Sequence, residues 1–160
     1  METKYYLAID IGASSGRHIL GHIEDGKMIC EEIYRFANGP VNHDGHLYWD
    51  IDRLEESVIE GIGKCSEIGK VPVSVAVDTW GVDYVPLDAE GKRIRAPYSY
   101  RDSRTEGMDA MVYAVVPEAE LYARTGIQKQ IFNTIYQLMA DKVKEPEIFE
   151  KTESILMIPD

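Results

Sequence analysis

Two stretches of this chain carry residue types suited to chemistry, one on phosphate and one on a polyhydroxylated molecule. The first, Asp10-Ile11-Gly12-Ala13-Ser14-Ser15-Gly16-Arg17, follows an apolar, extended run that starts at Tyr5. Gly12 and Gly16 allow backbone angles and close approaches that larger residues forbid, so successive N–H groups and the Ser14 and Ser15 hydroxyls can converge on phosphate oxygens. Asp10, at the end of the run, is placed to orient a hydrated magnesium ion, which prefers carboxylate and water ligands together with substrate phosphates. Arg17 could neutralise a phosphoryl group in transfer. A serine-glycine hairpin turn with a capping aspartate would use the same letters. The stretch is neither a Walker A loop, for no Gly-Lys-Ser/Thr follows, nor a dinucleotide fingerprint, for no helix follows.

The second stretch, Asp78-Thr79-Trp80-Gly81-Val82-Asp83, ends a β-branched run, the place where open α/β sheets hold their ligands. With Arg101-Asp102-Ser103-Arg104 it supplies donors and acceptors beside one aromatic face. Taken singly, each of these residues has a structural explanation, with Trp80 in a core and the aspartates capping turns; the cluster favours a site.

Both stretches need elements to position them. Tyr5–Asp10 reads as a strand, 11–16 as a tight turn and 18–23 as a second strand. Glu24-Asp25-Gly26-Lys27 makes another hairpin turn into a third strand, Met28–Phe36. A turn-rich loop follows (Asn38-Gly39-Pro40, Asp44-Gly45). From Asp52 to Ile68, Leu54, Val58, Ile59, Ile62 and Cys65 recur at helical spacing, with Asp50 or Asp52 as the cap. Val71–Val77 suits a central strand. Val82–Leu87 and Arg93–Ala96 flank a turn at Asp88–Gly91, and helices are expected over 105–116, 118–124 and 133–144, separated by Pro117 and Gly126. The acidic run Glu145–Glu153 reads as a solvated helix face and Ser154–Pro159 as the start of a strand. No composition shift marks a domain boundary, so one core is expected, in a β-β-β-α-β order. A chain that ends on a strand without the helix and strand to follow reads as truncated, and an unpaired edge with an uncovered apolar face would favour self-association.

The composition narrows the partners. A formal net charge of -11, spread along 160 residues, excludes a nucleic-acid groove lined by lysine and arginine. It does not exclude ATP, because backbone N–H groups and a bound metal act at contact distance. The two cysteines, Cys30 and Cys65, lack zinc-type spacing and read as reduced, buried thiols. His18, His22, His43 and His46 form no metal set and read as surface residues; Tyr113, Tyr122 and Tyr136 read as partly buried, with wet hydroxyls. With no signal-peptide pattern and no membrane-length apolar run, a cytoplasmic protein is expected.

A strand-turn-strand phosphate hairpin, a third antiparallel strand, a helix and a parallel strand resemble the actin-like ATPase superfamily, with its ribonuclease H-like α/β fold. In order and spacing, Asp10–Arg17, Arg35-Phe36 with Asn38-Gly39, Trp49-Asp50, Asp78–Asp83, Tyr100–Arg104, Thr125–Gln128 and Phe132–Leu138 resemble the FGGY family of carbohydrate kinases, and within it the rhamnulokinases. The resemblance covers nearly the whole chain and implies that residues 1–160 form a partial N-terminal domain. It implies an ATP- and Mg2+-dependent transfer of the γ-phosphoryl group to the 1-hydroxyl of L-rhamnulose. ATP would be contacted by Ala13, Ser14, Ser15, Gly16 and Arg17, the metal would be held at Asp10 through water, and the sugar would be met by Gly81, with Trp80, Asp83, Arg101 and Asn133. The family's catalytic aspartate and its adenosine pocket have no counterpart before Asp160, so the resemblance leaves this chain without its base. A kinase for xylulose, fuculose, ribulose or glycerol, and a non-catalytic actin-like binding module, are the alternatives.

Overall fold

A computed structural model describes residues 3–160 and divides them into two compact units, each with its own core, where the sequence led us to expect one. The first unit takes the chain up to Pro40 and then Asp50–Gly81; the second takes Val41–Trp49 and Val82–Ile158. The division is invisible in composition because the second unit borrows nine residues from inside the first.

In the first unit, strands β1 (Tyr5–Ile11), β2 (Ser15–Glu24) and β3 (Lys27–Ala37) form an antiparallel meander. Helix α1 (Ile51–Glu67) follows, capped by Asp50, whose side chain accepts from the Arg53 N–H. The chain then enters β6 (Pro72–Thr79), parallel to β1, so the sheet order is β3-β2-β1-β6. The period-2 pattern of β1 turns Leu7, Ile9 and Ile11 inward, onto Leu20, Phe36, Leu54 and Cys65. β6 is an edge strand here rather than a central one: α1 packs on β2 and β3, and Val73, Val75 and Val77 stay 61%, 45% and 50% exposed. Two further expectations fail in this unit. His18 is fully buried, because Gly61 of α1 brings backbone against its ring: a Cβ on Gly61 would stand 2.3 Å from it. Cys30 is exposed on β3, and only Cys65 is buried.

The second unit opens with a hairpin, β4 (Val41–His43) and β5 (His46–Tyr48), where a loop was expected; Asp44 and Gly45, both at positive φ, make its turn. β7 (Tyr84–Leu87) pairs antiparallel with β8 (Ser154–Met157), while Arg93–Ala96 adds only a bridge from Arg93 to Leu87. The helix expected over 105–116 is broken by Gly107, at φ 78°, into a 3-10 turn (Ser103–Thr105) and α2 (Met108–Tyr113). α3 (Glu118–Thr125), α4 (Thr134–Lys144) and α5 (Pro146–Lys151) complete the unit. Met108 and Val112 of α2 pack on Tyr136 and Ala140 of α4. Of the three tyrosines, Tyr136 is buried with its hydroxyl 2.7 Å from that of Tyr113, and Tyr122 is 58% exposed. Buried Asp141 is held by Arg95 at 2.7 Å, by Arg104 and by the Tyr84 hydroxyl, whose pKa burial and the carboxylate push up.

Candidate functional site

The turn between β1 and β2 is closed by backbone and by one residue from β3's exit. Gly12 N–H donates to Ser15 O at 2.9 Å, Asn38 N–H to Ser14 O at 3.0 Å, and the Asn38 side-chain amide to Gly12 O at 2.8 Å. Ser14 is exposed, and Ala13 and Ser15 are half-buried. Neither Gly12 nor Gly16 adopts a positive φ, so what the turn requires of them is space rather than unusual angles. At Gly16 the need is severe: a Cβ would sit 2.1 Å from the Phe36 ring. Arg17 lies across from Asp10 in the ladder and donates to its Oδ2 from Nε at 2.8 Å and from Nη2 at 2.7 Å. Both side chains are about half exposed. Asp10 is also the register partner of Asp78 on β6, which brings two hard oxygen donors to neighbouring strand ends. No group of three or more metal-ligating side chains occurs among the described residues. A hydrated magnesium ion needs only one or two carboxylates, and these residues fit it.

Trp80 leaves the end of β6 half-buried and packs on the first core. Gly81 is exposed, has no positive φ, and has nothing within 4 Å of where a Cβ would stand. Packing among the described residues therefore does not require glycine there.

In the second unit, Asp83 is fully buried. Its Oδ2 accepts from Trp49 Nε1 at 2.6 Å and from Tyr100 N–H at 3.1 Å, and its Oδ1 accepts from Gln137 Nε2 at 2.8 Å. Of the Arg101–Arg104 stretch, Asp102 and Arg104 turn inward. Asp102 accepts from the Leu47 and Arg104 N–H groups, at 2.7 and 2.8 Å, and meets His46 at 3.1 Å, while Arg104 binds Asp141. Arg101 stays exposed, its guanidinium 5.5 Å from the Tyr100 ring centre. Asn133 precedes α4 and donates to Gln128 O at 3.0 Å. It also lines a cavity of about 680 Å³ with Val82, Tyr113, Leu121 and Ile135. Val82 is a β-branched residue at φ 77°, its carbonyl held by Thr134 Oγ1 at 2.8 Å and Gln137 Nε2 at 3.2 Å.

Sequence reasoning missed the roles of Asn38 and Gln137. The available signals were an Asn-Gly pair after a strand and a polar residue at helical spacing with the buried Ala140 and Asp141 of α4.

The family described as "FGGY family of carbohydrate kinases, N-terminal domain" matches residues 5–160. The chain is 46% identical to a rhamnulokinase of Oceanobacillus iheyensis over 96% of its length, and 48% identical to one of Halalkalibacterium halodurans over 98%. It spans about a third of each of those proteins, 33% in both cases. Among solved structures, a gluconate kinase from Lactobacillus acidophilus superposes on 97% of the chain with a TM-score of 0.82 at 16% identity, covering 31% of that protein. A xylulose kinase from the same organism superposes on 95% with a TM-score of 0.81, also at 16% identity, covering 31% of that protein. These share its fold.

Proposed function

The chain belongs to the FGGY family of carbohydrate kinases, and from that premise we propose that the full-length enzyme transfers the γ-phosphoryl group of ATP to the 1-hydroxyl of L-rhamnulose. The observation that carries the reading is the β1–β2 turn, where the Ala13–Gly16 backbone and the Asp10–Arg17 ion pair stand together at one strand end. The choice of sugar rests on relatives that are rhamnulokinases.

In this reading the N–H groups and hydroxyls of the Ala13–Ser15 turn bind phosphate oxygens, and Arg17 offsets the charge that develops on the transferring group. Asp10 would hold a hydrated magnesium ion through water, both Arg17 contacts being confined to Oδ2, and the metal would supply positive charge to the phosphates. In the first unit Gly81 lets the ketose approach the backbone beside Trp80; in the second, Arg101 and Asn133 are polar groups of the kind that bind hydroxyls. Asp83, being enclosed, orders Trp49, Tyr100 and Gln137 behind them. The carboxylate that accepts the hydroxyl proton would come from outside residues 1–160, as would the adenosine pocket, so this segment is expected to be inactive alone. Excluding water while the sugar is bound would suppress ATP hydrolysis.

The test is sugar-dependent ADP release by the full-length enzyme with ATP and magnesium, offered L-rhamnulose, L-fuculose, D-xylulose, L-ribulose and glycerol in turn. Selective turnover of L-rhamnulose is expected. Preference for another acceptor would keep the family and overturn the substrate, and a folded, ATP-binding protein that turns over none of them would make this a binding module.

A further inference from the structure

We propose that Gln137, which is not among the residues assigned to the sugar above, is a positioning residue that orders segments of the second unit that carry proposed sugar contacts; the proposal rests on the kinase reading above. Gln137 lies on α4 at 2% exposure. Its Nε2 reaches three acceptors: Val82 O at 3.2 Å, Asp83 Oδ1 at 2.8 Å and Phe132 O at 3.0 Å. Its Oε1 accepts from Arg104 Nη2 at 3.2 Å, and its backbone carbonyl accepts from Arg104 Nη1 at 3.3 Å. Three oxygens on one side and a guanidinium on the other fix which end of the amide is NH2, since the reversed amide would set oxygen against oxygen and NH2 against cation.

The three acceptors belong to the segments that carry the proposed sugar contacts. Val82 follows Gly81. Phe132 precedes Asn133. Asp83 holds the Tyr100 N–H next to Arg101. Val82 also needs a restraint, because a β-branched residue at φ 77° occupies a region that persists only where neighbours impose it. Thr134 Oγ1 supplies part of that restraint and Gln137 the rest. One buried amide thus restrains both Val82 and the turn that enters Asn133 within the second unit. Losing it should loosen both segments together while leaving the phosphate turn of the first unit untouched.

The experiment compares Gln137→Met, which keeps the length and removes the donors, with Val112→Ala, which weakens the α2–α4 core elsewhere. Both are made in the full-length enzyme and assayed with L-rhamnulose and with ATP. The expected result for Gln137→Met is a KM for L-rhamnulose raised about tenfold or more and a KM for ATP within about twofold of wild type. Val112→Ala, with an equal or larger loss of Tm, should leave both constants near wild type. Amide hydrogen exchange should rise over residues 80–84 and 131–137 in Gln137→Met and stay at the wild-type level over residues 10–17. An unchanged sugar KM in Gln137→Met, an equal rise in Val112→Ala, or unchanged exchange over the two segments would each overturn the proposal. Failure of the wild-type enzyme to phosphorylate any ketose would be seen before either variant is made, and would remove the kinase reading itself.

Discussion

Arg17 donates twice to a single carboxylate oxygen of Asp10, so the guanidinium stands beside the Ala13–Ser15 turn without being buried. An ion pair this exposed contributes only about 0–1 kcal/mol to stability. Its larger effect should fall on charge that develops during transfer. Arg17→Ala in the full-length enzyme should lower kcat about a hundredfold while the KM for L-rhamnulose stays within about threefold. Steady-state kinetics decide it; an unchanged kcat would take Arg17 out of the mechanism. Residues of this kind are legible in the sequence because Asp10, Ser14, Ser15 and Arg17 lie within one short motif joined by a turn. Asn38 and Gln137 are not, since their partners lie 26 and 55 residues away and only folding brings those distances to hydrogen-bond length.

At the scale of elements, β2 and α1 meet through His18 and Gly61. A carbonyl can only accept, so His18 Nε2 donates to Val58 O at 3.1 Å, and the buried Nδ1 carries a lone pair with no hydrogen-bond partner among the described residues. Protonation would put an unsatisfied N–H and a charge there, which is why burial lowers this histidine's pKa. The sign follows: the unfolded chain takes up its proton near pH 6.5 while the folded chain resists, so stability is complete above that pH and falls as the solution is acidified toward the folded value. Urea unfolding between about pH 7 and pH 5 should show stability falling as the solution is acidified, with a flatter profile in His18→Leu. Equal slopes in the two proteins would show that other groups set the pH dependence. The β1–β2–β3 meander and α1 were readable because each forms between neighbours along the chain, with clean periods of two and of 3.6. The β4–β5 hairpin was not, for its three-residue strands give periodicity nothing to count. Nor was the pairing of β7, whose partner is β8 rather than the adjacent Arg93–Ala96.

For the molecule as a whole, two cores replace the one expected, and the first unit leaves a sheet edge and three β6 valines in water. An unpaired strand with an apolar face is a template for pairing with another chain. The 160-residue chain alone should therefore self-associate, with Val75→Lys shifting it toward monomer in sedimentation velocity at tens of micromolar. A monodisperse wild-type monomer would count against this surface as an association site.

The β7–β8 ladder also orders events during synthesis. β1, β2 and β3 pair with one another across short loops as soon as they emerge, although β1 completes its other edge only with β6. β7 emerges with its ladder groups unpaired and must wait for Ser154–Met157, roughly seventy residues later, or several seconds at about 5–20 residues per second. For that interval Tyr84 and Val85, buried in the finished fold, belong to a nascent chain whose second ladder is still open. During that interval this stretch is the part of the second unit most open to wrong pairing.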